Sequence, residues 1–304
     1  MRFGIALPNY GPLAGPATLA RLARRAEDLG VDSIWLSDHL VAPTGVESIY
    51  PYDRRPDAKP GDMGVIEHFY EPIVSLAWLA GQTSRVRLGV SAYVMPYRNP
   101  VLTAKHVATL DTLSGGRLIL GIGTGWLREE FAAVDVPFAG RGRRTEEYIE
   151  VCKRLWAGGE ARFEGRTYRL PPVRTGPPPA QRPHPPLWIA GNSAAAIDRA
   201  ARLGDGWHGI DLLPEELAPL VRELRARVTS AGREPEAVTV SLRKGVLVGG
   251  RGRPLYGDRE AIQRDLEAYR KAGLAYLVVG LRAAKSVEDL ERAMGDVVGA
   301  LSRE

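Results

Sequence analysis

Three short segments of this chain combine chemically versatile residues with positions directly after predicted strands. Asp38 and His39 close one apolar run, Gly-Ile-Gly-Thr-Gly-Trp occupies 121–126 after another, and Gly-Asn-Ser occupies 191–193 between a third run and a predicted helix. At the top of a barrel, Asp38 and His39 would point towards the central cavity. Glycines and helix N-termini expose backbone N–H groups that attract phosphate. These segments are candidates for a functional site, but the residues alone indicate no particular reaction.

Each segment also has a structural explanation. Asp38 and His39 could form a structural hydrogen-bonded pair, and most helix N-termini only cap themselves. The glycine run could be a dinucleotide-binding loop, but that fingerprint has two residues before its third glycine and a carboxylate about 20 residues further on. Neither feature is present, and no zinc, iron or serine-hydrolase motif occurs in the sequence. A metal site and serine-hydrolase chemistry are therefore not expected.

Eight apolar runs of strand length alternate with amphipathic stretches, a pattern typical of parallel strands joined by helices. The predicted strands are 3–7, 33–37, 86–92, 118–122, 187–190, 207–210, 238–243 and 276–281. The absence of a composition break favours one α/β domain over 1–304, a (β/α)8 TIM barrel, over the alternative of two Rossmann-like domains.

Two segments, 40–71 and 127–186, do not fit this repeat and are interpreted as insertions after strands 2 and 4. The second insertion contains a predicted helix at 143–157 and a predicted hairpin at 161–170. Because each insertion follows the C-terminal end of a strand, we expect both to lie over the active face of the barrel.

Composition restricts the partners. The formal charge is +5, and only six of the 41 basic residues are lysines, which favours phosphate or carboxylate ligands or simply reflects a general preference for arginine. The basic residues are scattered, so nucleic acid is not expected as a partner.

No apolar run reaches the roughly 20 residues that span a membrane, and the start is unlike a signal peptide, which predicts a cytoplasmic protein. Cys152 is interpreted as core packing.

One long motif makes the chain recognisable. Residues 100–117 read Pro-Val-Leu-Thr-Ala-Lys-His-Val-Ala-Thr-Leu-Asp-Thr-Leu-Ser-Gly-Gly-Arg and run into 118–126. This stretch closely resembles the signature of the bacterial luciferase-like family. Trp-Leu-Ser-Asp-His at 35–39 and Arg-Ala-Ala-Arg-Leu-Gly-Asp-Gly-Trp at 199–207 support the resemblance, which covers most of the chain. It implies a TIM barrel, a flavin or deazaflavin at the strand ends, a small organic substrate and a homodimer.

The Gly-Thr-Gly-Trp form resembles the branch of the family that uses the deazaflavin coenzyme F420. The resemblance assigns His39 and Asp38 to the ring, with His39 stabilising or exchanging a proton and Asp38 orienting the ring or the histidine. It assigns a bulge behind the ring, with a cis peptide bond, to Ser91 and Ala92. It assigns the phosphate side of the cofactor to four residues, namely Thr124, Gly125, Gly191 and Asn192.

The implied activity is hydride transfer between C5 of F420 and an unidentified organic substrate. The alternatives are an FMN-dependent monooxygenase supplied by a separate flavin reductase, and a flavin-binding protein without catalysis. Trp126 stands where F420-dependent sugar-phosphate dehydrogenases carry a glutamate, which argues against that substrate class, and a role for Glu129 or Glu130 stays open. Aromatic residues of the first insertion, namely Tyr50, Tyr52, Phe69 and Tyr70, suggest an apolar or aromatic pocket as one interpretation and surface packing as another.

Overall fold

The computed structural model describes residues 1–62, 67–281 and 284–302. In chain order the strands are β1 (Arg2–Ala6), β2 (Ser33–Leu36), β3 (Arg87–Val94), β4 (Leu118–Gly123), β5 (Glu160–Glu164), β6 (Arg169–Arg174), β7 (Leu187–Ala190), β8 (Gly206–Ile210), β9 (Thr239–Val248), β10 (Tyr256–Gly257) and β11 (Tyr276–Leu281). Strands β1, β2, β3, β4, β7, β8, β9 and β11 pair in this order, all parallel, and β11 pairs with β1 again. The predicted TIM barrel is confirmed.

Helices surround this barrel. They are α1 (Pro16–Asp28), α2 (Pro72–Ala80), α3 (Pro100–Leu113), α4 (Arg128–Ala133), α5 (Arg141–Trp156), α6 (Ala194–Leu203), α7 (Pro214–Ser230), α8 (Arg259–Lys271) and α9 (Val287–Leu301), with short 3₁₀ turns at Met95–Tyr97 and Pro235–Ala237. Ser286 caps the last helix, because its hydroxyl accepts a hydrogen bond from Asp289 N at 3.1 Å. Within the described ranges, no helix combines the length and apolarity needed to cross a membrane.

Aromatic side chains fill the lower part of the barrel interior. Trp35 stacks on Trp188 with ring centroids 5.3 Å apart, and Tyr276 meets Trp188 edge-on at 5.0 Å. Glycine makes room for both indoles, since a Cβ at Gly89 would come within 2.3 Å of Trp35 and one at Gly206 within 2.4 Å of Trp188. The barrel is therefore closed below, and a ligand site must lie above this layer at the C-terminal ends of the strands.

The first insertion crosses the mouth of the barrel, as predicted. Near its start, Glu129 of α4 accepts hydrogen bonds from Glu47 N at 2.7 Å and from the Ser48 hydroxyl at 2.8 Å. Further along, Arg54 donates to Glu216 of α7 at 2.5 Å and lies 3.4 Å from the Asp211 carboxylate beyond β8. The segment is thus tethered on two sides of the mouth.

The second insertion departs from the prediction. Only α4 and the start of α5 lie at the mouth, whereas the end of α5 packs down the outer wall, where the Trp156 indole donates to Ala104 O of α3 at 2.9 Å. Gln181 then bonds Leu118 O at 2.8 Å, at the opposite end of the barrel. The reason is geometric, because the chain must return to the N-terminal end of the barrel before β7 can begin. Cys152 is fully buried on α5, which confirms its interpretation as core.

Part of the long signature has a structural role. The Arg117 guanidinium donates to four backbone carbonyls within 3.1 Å, those of Ala80, Thr83, Val86 and Ser114. These bonds join the end of α2 to the starts of β3 and β4, at the N-terminal end of the barrel. Arg117 therefore stabilises the fold at a distance from the strand ends where the candidate site lies.

Candidate functional site

His39 stands at the mouth of the barrel after β2, with 28% of its side chain exposed. Its Nδ1 atom lies 2.8 Å from Oε2 of Glu130, which is fully buried on α4. The other ring nitrogen, Nε2, has no hydrogen-bond partner in the part of the chain that the structure describes. A histidine held at one nitrogen and open at the other is suited to exchange a proton with a ligand.

Glu130 is the centre of a buried hydrogen-bond network. Its carboxylate also accepts hydrogen bonds from the backbone N–H groups of Leu40 and Val41 and from the Tyr97 hydroxyl, the last at 2.8 Å. Burial by itself would raise the pKa of Glu130, but the His39 contact and the other donors outweigh it, so this pKa lies below its ordinary value. Glu130 is therefore a fixed negative charge that orients His39.

The predicted role of Asp38 needs correction. Its buried carboxylate pairs with Arg98 through two bonds of 2.8 Å and accepts a third, also of 2.8 Å, from Val94 N. Its side chain has no exposed surface. Asp38 is next to His39 in sequence, but alternate residues of an extended chain point to opposite sides. Asp38 therefore fixes Arg98 and the end of β3, and Glu130 takes the role of orienting the histidine.

The peptide bond between Ser91 and Ala92 is cis, which confirms that prediction. It lies in an irregular part of β3, where the pairing with β4 shifts in register between Val90 and Tyr93. Ala92 is partly exposed, whereas Ser91 is buried and its hydroxyl lies 2.8 Å from Nε2 of His208. The bulge thus faces the barrel interior beside the mouth.

Gly125 requires glycine for two reasons. Its φ angle is +80°, and a Cβ there would come within 2.6 Å of Phe131 and 2.8 Å of Val94. Its carbonyl accepts a hydrogen bond of 3.1 Å from Nε of Arg141, at the start of α5. The neighbouring Thr124 hydroxyl forms no hydrogen bond with any described residue, so it is open to a ligand.

Four arginines of α4 and α5 have no acidic partner among the described residues, and one of them, Arg141, contacts this loop. Arg141 and Arg128 stack on the ring of Phe138 at 3.8 and 4.6 Å. Burial, followed by the nearby charge of Arg128, lowers the pKa of Arg141. Among the described residues, no carboxylate lies within 4.0 Å of Arg128, Arg141, Arg143 or Arg144. These four residues, named here the arginine rim, have unused capacity for an anion.

Two of the groups predicted on the phosphate side, the Gly191 N–H and the Asn192 side chain, bond to the protein itself. Gly191 N donates to His208 O at 3.1 Å, and the Asn192 side-chain amide forms two bonds with the backbone of Ile210, at 2.8 and 2.9 Å. Tyr52 approaches from the first insertion. Burial and then Tyr50 raise its pKa to about 12, and a hydrogen bond with the Asn192 backbone opposes this shift. Of these groups only the Asn192 N–H could bind an anion, and in this structure it forms a hydrogen bond with Tyr52.

An aromatic wall extends across the mouth from the first insertion to the glycine loop. The His39 ring meets Phe69 at 5.3 Å and Trp126 at 6.2 Å, and Tyr50 joins Trp126 at 5.2 Å and Tyr52 at 5.4 Å. Of the four aromatic residues predicted as a pocket, Tyr70 is the one outside this wall, with 38% of its surface exposed. Trp126, which replaces a glutamate of the sugar-phosphate dehydrogenases, is part of the wall.

The sequence leaves the role of one residue of the site open and does not identify another. A role for Glu130 could not be assigned from the sequence, because helix α4 is too short to show which way its glutamates face. Arg243 reaches into the barrel from β9, where it donates to the Ser91 carbonyl and to the Ser37 hydroxyl. It ends the seventh predicted strand, so the strand-end argument used for Asp38 and His39 could have identified it.

The family model of the luciferase-like monooxygenases matches residues 1–297, and the chain belongs to this family. An uncharacterised protein of Mycobacterium tuberculosis is 34% identical over 230 residues, which cover 75% of this chain and 78% of that protein. An F420-dependent glucose-6-phosphate dehydrogenase of Kineococcus radiotolerans is 34% identical over 237 residues, covering 75% of this chain and 64% of that enzyme.

Solved structures with the same fold include a monooxygenase and an F420-dependent reductase. A monooxygenase from Streptomyces bottropensis has a TM-score of 0.82 at 22% identity, covering 99% of this chain and 98% of that one. A coenzyme F420 dependent tetrahydromethanopterin reductase from Methanopyrus kandleri has a TM-score of 0.77 at 19% identity, with 99% of both chains covered. At these identities the likeness establishes the fold.

Proposed function

We propose that this protein is an F420-dependent oxidoreductase that transfers a hydride between the deazaflavin and a small organic substrate. The observation that carries the proposal is His39, held at Nδ1 by buried Glu130 and open at Nε2 on the strand-end face. The F420-dependent dehydrogenase among the relatives supports the choice of cofactor. When bound, F420 supplies a ring carbon that accepts or releases a hydride.

The residues of the mouth fit such a cofactor. The bulge at Ser91 and Ala92 would hold the ring, with His39 at its edge. The Thr124 hydroxyl and the arginine rim would hold the phosphate and the acidic tail, because these donors have no acidic partner among the described residues. The Asn192 N–H would join them by exchanging its Tyr52 contact for the phosphate.

His39 handles the proton in this proposal. Oxidation of an alcohol carbon removes one hydride and one proton, and Nε2 of His39 takes the proton from the substrate hydroxyl. Glu130 then stabilises the imidazolium through Nδ1, since the two groups lie 2.8 Å apart and Glu130 is charged. The aromatic wall excludes water from this step and contributes a surface for apolar parts of the substrate.

Cofactor selectivity provides the test. We expect F420 to bind at least about tenfold more tightly than FMN, a difference of about 1.4 kcal/mol. Both ligands carry a ring and a phosphate, but only F420 continues into a tail with several carboxylates that the arginine rim can engage. Because these pairs are partly exposed, the preference should shrink at high salt. Fluorescence titration at low and high salt measures it.

Matched variants make this titration sharper. Replacement of exposed Arg143 by Gln should reduce the preference for F420, whereas Arg222→Gln, an exposed site on α7, should leave it unchanged. Equal or tighter binding of FMN by the unmodified protein would reject the F420 assignment. That result, together with oxygen consumption in the presence of reduced FMN, would support an FMN-dependent monooxygenase instead.

We infer a homodimer from an exposed apolar face on α2 and α3. Val74 and Trp78 of α2 are 69% and 41% exposed, and Leu102 and Leu113 of α3 are 49% and 68% exposed. Such a patch is unusual on a monomer and suits a two-fold interface. Trp78→Glu should shift the mass measured by sedimentation equilibrium from dimer to monomer, whereas a monomeric unmodified protein would refute the inference.

The cytoplasmic location stays a prediction, which cell fractionation would test.

A further inference from the structure

Arg243 forms part of the floor of the mouth. From β9 it crosses the barrel, where Nη1 donates to the Ser91 carbonyl and, at 3.3 Å, to the Ser91 hydroxyl, and Nη2 donates to the Ser37 hydroxyl at 3.0 Å. The Ser91 carbonyl belongs to the cis peptide of the bulge. The guanidinium therefore contacts the segment that would support the cofactor ring, and all of these acceptors are neutral.

The hydrogen-bond network below Arg243 can be assigned proton by proton. The Ser241 hydroxyl donates to Trp207 O at 3.0 Å, so it accepts from Nδ1 of His208, 2.8 Å away. Nε2 of His208 must then accept from the Ser91 hydroxyl, also at 2.8 Å. Burial, and then the charge of Arg243, lowers the pKa of His208 to about 3, which keeps the imidazole neutral. Arg243 thus provides the positive charge of this network.

That charge has no counter-ion among the described residues, since no carboxylate lies within 4.0 Å of Arg243. Apart from the arginine rim, which lies at the glycine loop, three further cations around the mouth are paired. Arg98 binds Asp38 at 2.8 Å, Arg54 binds Glu216 at 2.5 Å and Lys244 binds Asp211 at 2.8 Å. Partly buried charges in proteins are normally paired, so a lone cation facing a cavity indicates an anionic ligand.

We propose that Arg243 stabilises the negative charge that the cofactor ring gains on reduction. This inference rests on the proposed function. A hydride carries two electrons and one proton, so its addition gives the ring one further negative charge, shared between the pyrimidine nitrogen and carbonyl, unless another proton follows. The proton released by the substrate goes to His39. A ring packed on the Ser91–Ala92 peptide would contact the guanidinium, which bonds to that peptide's oxygen. The chemistry is the same for a deazaflavin and a flavin.

The test compares the binding of oxidised and reduced cofactor. In Arg243→Gln, anaerobic titration should show about tenfold weaker binding of reduced F420 with little change for oxidised F420, equal to a fall in reduction potential of about 30 mV for a two-electron couple. Arg243→Lys keeps the charge and should retain most of the preference for the reduced form. Arg222→Gln, the same loss of charge on exposed α7, should behave like the unmodified protein.

Two results would overturn the inference. An equal loss of affinity for both redox forms in Arg243→Gln would make Arg243 a structural support of Ser91. Unchanged affinities for both redox forms would show that its charge does not reach the ring. Failure of the proposed function looks different, because the unmodified protein and Arg222→Gln would then bind FMN at least as tightly as F420, or would bind neither cofactor.

Discussion

Replacement of His39 by alanine is expected to lower turnover by about two orders of magnitude, the low end of what a positioned acid or base contributes. The imidazole presents Nε2 at the mouth, and no other histidine side chain among the described residues contacts Glu130. The free energy of unfolding should change little, because the ring is partly exposed and lines a cavity instead of filling the core. Steady-state kinetics and thermal unfolding of the same preparation measure both effects.

His68 offers a matched control for this substitution. It lies in the first insertion, which begins directly after His39, and its side chain is exposed, so His68→Ala should leave turnover near normal. His39→Ala should also keep its affinity for the oxidised cofactor within about threefold, since its role is proton exchange and not charge recognition. Near-normal turnover in His39→Ala combined with a large fall in melting temperature would identify His39 as structural.

Replacement of Glu130 by glutamine should affect both stability and turnover. The carboxylate accepts hydrogen bonds from His39, Tyr97 and two backbone N–H groups, and an amide cannot accept all of them. A buried donor left without a partner costs roughly 1 to 3 kcal/mol, so we expect a loss of about 3 kcal/mol in unfolding free energy. Turnover should fall about tenfold, because His39 loses its orientation and its negative partner.

The stability effect should depend on pH with a defined sign. The pKa of Glu130 in the folded protein lies below the ordinary 4.5, so its contribution is complete above pH 4.5 and is lost as the pH falls through the folded value. The gap between the unmodified protein and Glu130→Gln should therefore be full at pH 7 and narrow in acid. Glu129→Gln, next on the helix, breaks only the partly exposed tether to Ser48 and should leave turnover intact. Equal effects of the two substitutions would contradict the assigned role.

The sequence predicted the barrel well because strand and helix periodicity repeats eight times. The strand predicted at 238–243 is too short, because β9 continues to Val248. The glycine at 245 interrupts the apolar run, so the sequence did not indicate the continuation. The strand ends also located the face that carries His39, Ser91 and Thr124. Periodicity and strand ends are set by residues that are close in sequence, so a single sequence is enough to predict them.

The partners of the site residues were not predictable in the same way. His39 and Glu130 are 91 residues apart, and Arg243 and Ser91 are 152 residues apart, so only the closed barrel brings them together. Proximity in sequence favoured Asp38 as the partner of His39, but the alternation of an extended chain turns Asp38 to Arg98 instead. The hydrogen bond from Gly191 N to His208 O could not be predicted either, because composition does not record hydrogen bonds between neighbouring strands.

The first insertion separates recognition from chemistry. Its tethers run through Glu129 and Arg54, whereas His39 is anchored from below by Glu130, so the aromatic residues between the tethers carry no part of the proton machinery. Tyr50 and Tyr52 could therefore be exchanged to admit differently shaped molecules while the histidine keeps its geometry. Substitutions confined to the first insertion could thus change which substrates the barrel accepts, while His39 and Glu130 stay in place.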